Sequence, residues 1–309
     1  MKTLLLILGP TGVGKTELSL RVAEHFGSPI LSCDSRQIYR AIPVGTAAPT
    51  AEDQARVKHY FVATRELEED YNAGQYERDA IALTEELFRT HDTLVMTGGS
   101  MLYADAVCNG LDDLAHVPEA VRNQLSAIRD KQSDWLSWLQ DEVQRLDPAY
   151  WERVDRNNPA RLAHCVEMCY ATGKPYSSLL THTTKERPFR ILKIGLERPR
   201  WELYDRINRR VEQMMADGLV EEARAVYPKR HLNSLQTVGY RELFAHFDGE
   251  YDLARAIELI QQNSRHYAKR QMTWFRRDNT IHWLNANDDY EKNIHLIDDL
   301  LCADSVQEE

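Results

Sequence analysis

The octapeptide Gly9-Pro10-Thr11-Gly12-Val13-Gly14-Lys15-Thr16 has the spacing of a loop that binds phosphate groups. An apolar run, Thr3–Leu8, precedes it, and a segment with helical apolar spacing follows it. Because glycines let successive backbone N–H groups converge, such a loop can donate several hydrogen bonds to one anion. Lys15 adds a positive charge, and the Thr16 hydroxyl can ligate Mg²⁺. The flanking segments make a chance glycine-rich turn the weaker interpretation, but they do not identify the ligand.

A carboxylate, Asp34, follows a second short apolar segment, Pro29–Ser32. In an open parallel sheet, residues just past the carboxyl end of a strand line the ligand crevice. Asp34 is therefore predicted to face the phosphate-binding loop. An aspartate at this place also commonly caps the next turn, and position alone leaves both interpretations open.

A third apolar segment, Thr93–Thr97, leads into Gly98-Gly99-Ser100. Two glycines and a hydroxyl at the start of a helix can form a second backbone donor site for phosphate oxygens. Alternatively, the glycines serve only a tight turn. In many ATPases with such a loop, an acidic residue ends this strand and helps to hold Mg²⁺. Its absence here argues against a motor or switch NTPase.

Arg206 and Arg210 lie four residues apart on a predicted helix that ends near Gly218. This spacing puts both guanidinium groups on one helix face. Such a pair can clamp a doubly charged leaving phosphate. The alternative is a salt-bridged surface with Asp205 and Glu212 as partners.

The last long predicted helix, 253–276, combines cationic and aromatic side chains. The stretch 259–277 has no acidic residue, and it carries Arg265, His266, Lys269, Arg270, Arg276, Arg277, Tyr267, Trp274 and Phe275. In an otherwise acidic protein, this stripe favours a track for RNA. The alternative is a core helix with buried aromatic rings and solvated charges.

These segments together predict an α/β fold. We expect a P-loop NTPase-like parallel sheet core flanked by helices, with a mostly helical insertion domain. The core domain is predicted to comprise residues 1–112 and 186–309, and the insertion residues 113–185. Within the core, Ile281–Leu284 is a predicted edge strand, and the acidic tail beyond it is expected to fray.

Composition narrows the functional classes. The chain has 309 residues with 38 basic and 48 acidic side chains, so its net charge of −10 supplies no global attraction for nucleic acid. Its five cysteines form no C-x-x-C pair and are expected to be buried thiols in a reducing compartment. Neither a signal peptide nor a long apolar run is evident, so we expect a cytoplasmic protein with no membrane partner.

Five motifs in order resemble the tRNA dimethylallyltransferase (tRNA isopentenyltransferase, IPP transferase) family, and they cover the chain from Gly9 to Trp283. They are Gly9-Pro10-Thr11-x-x-Gly14-Lys15-Thr16, Asp34-Ser35-Arg36-Gln37-Ile38-Tyr39, Gly98-Gly99-Ser100-x-Leu102-Tyr103, Val238-Gly239-Tyr240-Arg241 and Lys269-Arg270-Gln271-x-Thr273-Trp274. The resemblance implies transfer of a dimethylallyl group from dimethylallyl diphosphate to N6 of an adenosine. That adenosine lies 3′ of the anticodon, at tRNA position 37. The absence of a carboxy-terminal Cys/His zinc-finger pattern indicates a bacterial-type member.

The resemblance also implies roles for individual residues. The phosphate loop would hold the donor diphosphate without nucleotide hydrolysis, and Asp34 would accept the proton from N6. The implied catalytic residues are Asp34, Ser100, Lys15 and Arg206. The implied donor-binding residues are Gly9, Pro10, Thr11, Gly12, Val13, Gly14, Lys15, Thr16 and Arg210. Thr16 is the implied ligand of a Mg²⁺ cofactor.

A stacked adenine must swing out of the anticodon loop to react, so the enzyme must also hold its neighbours. The implied tRNA contacts are Asp34, Ser35, Arg36, Gln37, Ser100, Arg122, Ala160, Arg161, Leu162, Ala163, His164, Gln236, Thr237, Val238, Gly239, Tyr240, Arg241, Lys269, Arg270, Gln271, Trp274 and Arg276. Three positions depart from the family. Ser100 stands where threonine is common, and Ala160 and His164 replace the usual glutamine and arginine. The partners are thus the anticodon stem-loop of a tRNA and dimethylallyl diphosphate, and a monomer is the default expectation.

Two other functions share the phosphate loop. A small-molecule P-loop kinase would use Lys15 and Thr16 to bind ATP, would need no tRNA, and would leave the basic helix without a role. A non-catalytic RNA-binding protein would retain the basic helix and have no use for Asp34.

Overall fold

A computed structural model describes residues 1–115, 117–181 and 183–303. The chain divides into two compact units. One comprises Met1–Cys108 together with the chain from Glu186 onward, and the other is Asn109–Lys185. The inserted unit therefore begins at residue 109, where the sequence predicts 113, and ends at residue 185.

Parallel strands form one sheet in the first unit. Within the described residues there are six, β1 (Thr3–Leu8), β2 (Ile30–Ser32), β3 (His59–Tyr60), β4 (Thr93–Gly98), β5 (Arg190–Glu197) and β6 (Ile281–Asn285). Their order across the sheet is β3-β2-β4-β1-β5-β6. Every residue of β1 is buried, as expected for a central parallel strand covered on both faces. The predicted edge position of β6 is confirmed, whereas the two-residue strand β3 was not predicted.

The helices fall into three groups along the chain. Those before the insertion are α1 (Lys15–Phe26), α2 (Pro43–Thr46), α3 (Ala51–Arg56), α4 (Ala73–Leu87) and α5 (Met101–Asn109). The inserted unit contains α6 (Glu119–Arg129), α7 (Trp135–Leu146), α8 (Pro148–Trp151) and α9 (Pro159–Thr172). The helices that follow are α10 (Arg200–Ala216), α11 (Leu219–Val226), α12 (Tyr240–Phe247), α13 (Leu253–Phe275) and α14 (Tyr290–Ala303). None of the described helices is long and apolar enough to cross a membrane.

The pairing register aligns the strand ends that carry the predicted site residues. Leu8 of β1 pairs with Gly98 of β4, and Ser32 of β2 pairs with Thr97 of β4. The Cys33 N–H extends this pairing by donating to the Thr97 carbonyl at 2.8 Å. The segments that follow β1, β2 and β4 therefore leave the sheet on the same side, where the carboxyl ends of the parallel strands lie.

Gly98 at the end of β4 and Gly99 after it are both closely packed against other segments. A Cβ atom at Gly98 would lie 2.6 Å from the Cys33 backbone, and one at Gly99 would lie 2.4 Å from the Gln271 side chain. Neither glycine has a positive φ. The interpretation of this segment as a turn that needs only flexibility is therefore wrong, because space at the Cα atoms is what these positions require.

The predicted fraying of the tail is wrong for residues 290–303. These residues form α14, whose Ile294 and Ile297 are buried in the core beside α1. The acidic composition concealed an apolar i,i+3 repeat that forms one helix face. Residues 304–309 of the predicted tail lie outside the described residues.

The inserted unit has its own core. Leu125, Leu139, Val143 and Leu162 of its helices are buried there, which confirms the predicted helical character. Cys165 and Cys169 lie in this core, and both are free thiols, as are Cys33, Cys108 and Cys302 of the other unit. Cys302 of α14 departs from the expectation of buried thiols because it is exposed.

Candidate active site

The loop between β1 and α1 has the backbone of a phosphate-binding loop. Gly12 and Gly14 have φ of 80° and 113°, which favours glycine at both positions. Gly14 occupies the N-cap of α1, and no side chain caps that helix end. The first N–H groups of α1 therefore remain available to an anion, and the positive end of the helix dipole faces the same place.

Lys15 folds back on this loop. Its Nζ donates hydrogen bonds to the Gly9 carbonyl at 2.9 Å and to the Pro10 carbonyl at 3.0 Å. Burial, aided by the nearby charge of Arg210, lowers the pKa of Lys15 to about 8. An incoming anion would restore the preference for the protonated amine, since opposite charges favour each other.

Two arginines of α10 donate hydrogen bonds to the phosphate-binding loop. Arg206 Nε donates to the Gly12 carbonyl at 2.8 Å, and Arg210 Nη1 donates to Thr11 Oγ1 at 3.0 Å. Burial lowers the pKa of both arginines. The alternative of a salt-bridged surface is wrong for this pair, because Asp205 pairs with Arg209 on the exposed face. The predicted shared face of Arg206 and Arg210 is thus turned toward the loop.

Asp34 performs the capping role and keeps part of its carboxylate free. Its Oδ1 accepts hydrogen bonds from the N–H groups of Arg36 at 2.9 Å and Gln37 at 3.3 Å. Among the described residues, no group donates a hydrogen bond to Oδ2. Burial dominates the pKa of Lys15 and of Arg210, and the Asp34 charge opposes that effect at both. The carboxylate therefore lies within electrostatic reach of the loop, as the strand order predicts.

Ser100 fixes the segment that carries Asp34. Its Oγ accepts a hydrogen bond from the Ser35 N–H at 2.8 Å and donates one to Ser35 Oγ at 3.0 Å. The hydroxyl is buried at the start of α5. These contacts give Ser100 a positioning role, and its direct part in chemistry stays a prediction.

Gln271 joins three segments of the site. Its Oε1 accepts from the Thr11 N–H at 2.9 Å, and its Nε2 donates to the Gly99 carbonyl at 2.7 Å. The residue is 1% exposed. Both ends of the side-chain amide bond inside the protein, so Gln271 links α13, the loop and the turn after β4, and its contact with tRNA stays a prediction.

One cavity of about 840 Å³ brings most of the predicted residues together. From the predicted donor and catalytic sets, its lining includes Thr11, Gly12, Gly14, Lys15, Thr16, Asp34, Ser100, Arg206 and Arg210. From the predicted tRNA set, it adds Ser35, Arg36, Gln37, Gln236, Thr237, Val238, Gly239, Arg241, Arg270 and Gln271. An anion-binding end and a carboxylate thus share one space, which is what group transfer from a phosphorylated donor needs.

Other predicted residues lie outside this lining. Pro10, Lys269 and Arg276 line a second cavity of about 650 Å³. The Tyr240 side chain is fully buried and donates to Glu222 at 2.5 Å, so it is a core residue. Gly9 and Val13 are buried too, and Val13 can offer a ligand only its backbone.

The basic helix α13 combines features of the two structures predicted for it, a track for RNA and a core helix. Lys269, Arg270 and Arg276 are exposed, whereas Phe275 is 2% exposed and packs in the core. Trp274 is half-buried, and its indole N–H donates to Asp105 Oδ2 at 2.9 Å. The helix therefore buries one face and presents its cations on another.

The inserted unit carries its predicted contacts on α6 and α9. Ala160, Arg161 and His164 are exposed, and so is Arg122. Leu162 has no exposed surface and belongs to the core of the unit. Its predicted contact with tRNA is therefore not one that its side chain can make.

Two residues of the site were missed by the sequence analysis. Arg198 Nε donates to the Val13 carbonyl at 2.7 Å, next to the arginine pair. It directly follows β5, so the rule that singled out Asp34 also applies to it. Tyr267 lines the large cavity, and burial raises its pKa to about 12. It had been noted only as part of the basic stripe.

The described residues form no metal site made entirely of protein side chains. Among residues 1–115, 117–181 and 183–303, no cluster of three or more His, Cys, Asp or Glu side chains could hold a metal ion. This matches the missing acid after β4. Thr16 is exposed at the first turn of α1 and lines the cavity. A hydroxyl is an oxygen ligand of the kind that Mg²⁺ accepts, so Thr16 would be available to such an ion.

Residues 37–278 match the model of the family described as IPP transferase. Two similar proteins are "tRNA dimethylallyltransferase 2" of Parabacteroides distasonis and "tRNA dimethylallyltransferase 1" of Phocaeicola vulgatus. The first is 55% identical over 296 residues, covering 96% of this chain and 98% of that protein. The second is 55% identical over 289 residues, covering 94% of this chain and 96% of that protein.

Solved structures agree with these matches. The full-length tRNA isopentenylpyrophosphate transferase of Bacillus halodurans superposes with a TM-score of 0.73 at 31% identity, over 100% of both chains. A eukaryotic dimethylallyltransferase acting on tRNA gives a TM-score of 0.80 at 21% identity, over 98% of this chain and 80% of that one, which supports the fold alone. Because the family model matches residues 37–278 and two tRNA dimethylallyltransferases are 55% identical over nearly the whole chain, the chain belongs to the IPP transferase family, the tRNA dimethylallyltransferases.

Proposed function

We propose that this protein transfers the dimethylallyl group of dimethylallyl diphosphate to N6 of the adenosine 3′ of a tRNA anticodon, at position 37. The observation that carries the proposal is the shared cavity. The phosphate loop and Asp34 line the same space, and exposed cations reach its edge. The tRNA-modifying activity named for the relatives needs both an anionic donor and a reacting adenine in one place.

The loop end of the cavity suits the departing diphosphate. As the allylic C–O bond breaks, both bonding electrons stay with the diphosphate oxygen, and its charge must be neutralised. The N–H groups at the start of α1, Lys15, Arg206 and Arg210 surround this place. Because these donors are fixed before the reaction, no rearrangement is required as the charge develops. Thr16 would hold Mg²⁺, which supplies further positive charge to the leaving oxygens.

The carboxylate end suits the acceptor. The N6 amine is a poor nucleophile because its lone pair is delocalised into the purine. As N6 forms its bond to the allylic carbon, it must also lose a proton, since the nitrogen would otherwise carry a positive charge. Oδ2 of Asp34 is the acceptor atom that the local hydrogen bonds leave open. The backbone N–H groups that bond to Oδ1 hold the carboxylate in one orientation. Oδ1 thus positions the group, and Oδ2 accepts the proton.

Exposed cations near the cavity suit the RNA backbone. Arg241 and Arg270 line it, and Lys269 lies one residue before Arg270 on α13. Their exposure leaves them available to phosphates, which supply most of the affinity in such complexes. We further propose that the protein acts as a monomer in the cytoplasm, where it would meet its tRNA.

The kinase alternative lacks a specific observation in its favour. The relatives described above are named as dimethylallyltransferases, and the family match spans residues 37–278. A kinase would leave the cations of α13 unexplained.

Incubating the protein with Mg²⁺, labelled dimethylallyl diphosphate and an unmodified tRNA transcript tests the activity. We expect label in N6-(dimethylallyl)adenosine after nucleoside analysis. A transcript in which guanosine replaces the acceptor adenosine should stay unlabelled. Absence of label in the adenosine transcript, together with phosphorylation of a metabolite by ATP, would favour the kinase.

Replacing Asp34 by asparagine should lower kcat at least about 100-fold, because Oδ1 can still cap the turn while the proton acceptor is lost. Equilibrium binding of tRNA and of the donor should stay within about twofold of wild type. A matched control is Asp53→Asn, since Asp53 also accepts a backbone N–H but lies at the start of α3. Equal losses of binding and of turnover in Asp34→Asn would contradict the base assignment.

Donor affinity should fall as pH rises above the pKa of Lys15. That pKa is about 8 in the free protein, so the amine is charged below this pH and neutral above it. Binding favours the charged form, so affinity should drop by up to about tenfold per pH unit above pH 8. Calorimetric titration with dimethylallyl diphosphate measures the effect. In Lys15→Arg, the affinity should depend less on pH, since arginine stays charged above pH 8. The ionisation of the ligand itself affects both proteins equally, so it cancels in the comparison. The same profile in both proteins would refute the assignment.

Removing two exposed cations of α13, Lys269→Ala with Arg270→Ala, should raise the tRNA KM and leave donor binding unchanged. Each phosphate contact contributes about −0.7 to −0.9 to the slope of log K against log salt, so the slope should flatten by about 1.5. Filter binding at several salt concentrations measures it. Arg255→Ala is the control, because Arg255 lies at the opposite end of the same helix and pairs with Glu258. An unchanged slope in the double variant would exclude these residues from the RNA contact.

A further inference from the structure

Tyr267 lies in the middle of the face that α13 turns toward the large cavity. Ile260, Ser264, Tyr267 and Gln271 all line that cavity. Their spacing of three or four residues puts them in one row along the helix. Ile260 and Gln271 are 2% and 1% exposed, so the two ends of the row are fixed in the core. The helix therefore holds Tyr267 at the cavity wall from both sides.

The hydroxyl end of Tyr267 reaches the turn after β4. Its Oη donates to the Gly99 carbonyl at 3.5 Å, and Gln271 Nε2 donates to the same carbonyl at 2.7 Å. Burial raises the pKa of Tyr267 to about 12, and the charge of Asp34 is the next cause of that rise. Tyr267 is therefore an uncharged phenol at neutral pH, within electrostatic reach of the proposed proton acceptor.

The ring of Tyr267 has a cation beside it. The Arg270 guanidinium lies 5.6 Å from the ring centre, within the range of a cation–π contact. Of the ring–ring contacts between described residues, none involves Tyr267. An aromatic ring at the cavity wall is thus left without an aromatic partner from the described part of the chain.

The cavity lining contains a second tyrosine, Tyr290, at a different place. Tyr290 lies close enough to Arg206 to affect the pKa of that arginine, which belongs to the proposed donor-binding group. Tyr267 instead responds to the charge of Asp34. The two rings therefore mark the donor end and the acceptor end of the cavity, and Tyr267 is the ring at the acceptor end.

We propose that Tyr267 is the platform on which the acceptor adenine stacks after it has left the anticodon loop. The proposal rests on the proposed function. A base that swings out loses its stacking partners in the RNA, so a ring of the enzyme that replaces one of them offsets part of this cost. With one face of the purine on the ring, the edge that carries N6 stays free to meet Asp34.

The phenol hydroxyl could instead act by itself, as a hydrogen-bond donor to the substrate. The variant Tyr267→Phe keeps the ring and lacks the hydroxyl, whereas Tyr267→Leu lacks the ring. The two variants therefore separate these roles. Tyr290→Leu is a matched control, because it removes the other tyrosine from the lining of the same cavity.

The experiment measures binding of wild type and these variants to two anticodon stem-loops, with Mg²⁺ and diphosphate present to fill the loop. One stem-loop carries adenosine at the acceptor position, and the other carries an abasic ribose there. The dissociation constant for the adenosine form, divided by that for the abasic form, isolates the contribution of the base. Comparing this ratio between proteins cancels the unstacking cost, which is a property of the RNA.

We expect Tyr267→Leu to raise this ratio at least about fivefold, because the stacking of the base is lost. Tyr267→Phe and Tyr290→Leu should keep the wild-type ratio within about twofold. Affinity for the abasic stem-loop also reports whether each variant is folded, and Tyr267→Met replaces Tyr267→Leu if the latter is not.

Turnover gives a second readout. The kcat/KM for modification of the adenosine stem-loop should fall at least about tenfold in Tyr267→Leu and stay within about threefold of wild type in Tyr267→Phe. An unchanged binding ratio in Tyr267→Leu, or an equal loss in Tyr267→Phe, would overturn the platform. Failure of wild type itself to modify the adenosine stem-loop would instead count against the proposed function.

Discussion

The parallel pairing of β1, β4 and β2 is the constraint on which the site depends. Hydrogen bonds between these strands set Leu8 against Gly98 and Ser32 against Thr97. A one-residue slip of a strand would reverse which face each side chain takes. It would also move the loop after β1 away from the carboxylate after β2. The register therefore determines which chemical groups can meet, before any side chain of the site is considered.

Positive charge is concentrated at the loop without a nearby acid to balance it fully. Burial lowers the pKa of both Lys15 and Arg210, and the charge of Arg210 lowers that of Lys15 further, while the charge of Asp34 opposes the shift at both positions. In the free protein, the cost is limited by hydrogen bonds to carbonyl and hydroxyl oxygens of the loop itself. Such a cluster is stabilised when a multiply charged anion enters it. The cluster therefore suits the diphosphate of the proposed donor.

The sequence predicted the parts of the fold that depend on local patterns. Continuous apolar runs indicated β1, β2 and β4, and the glycine spacing indicated the loop, because both signals lie within a few residues. The resemblance then supplied roles that no spacing shows, such as that of Asp34. It could not say which side chains of a motif point inward. Leu162 and Tyr240 lie within predicted contact segments, yet tertiary packing buries them.

Other features depend on contacts between distant residues. Gln271 is 260 residues from Thr11, and a sequence pattern gives no indication of such a bond. The acidic residues beyond Leu284 led to the prediction that the tail frays, although buried Ile294 and Ile297 anchor it to the core as a helix. Arg198 directly follows β5, so the strand-end rule applies to it, although no motif marks it.

The hydrogen bonds of Gln271 bear on whether binding of one substrate changes the affinity for the other. One amide group holds the helix that presents cations to solvent, the loop that receives the donor, and the turn that begins α5. A displacement of that helix by a polyanion would be transmitted to the Thr11 amide, and a shift of the loop would be transmitted back. Energetic coupling between two ligands is reciprocal, so whatever occupancy of one does to the affinity of the other must hold in both directions. In this protein, the Gln271 side chain is the direct link through which such coupling would pass.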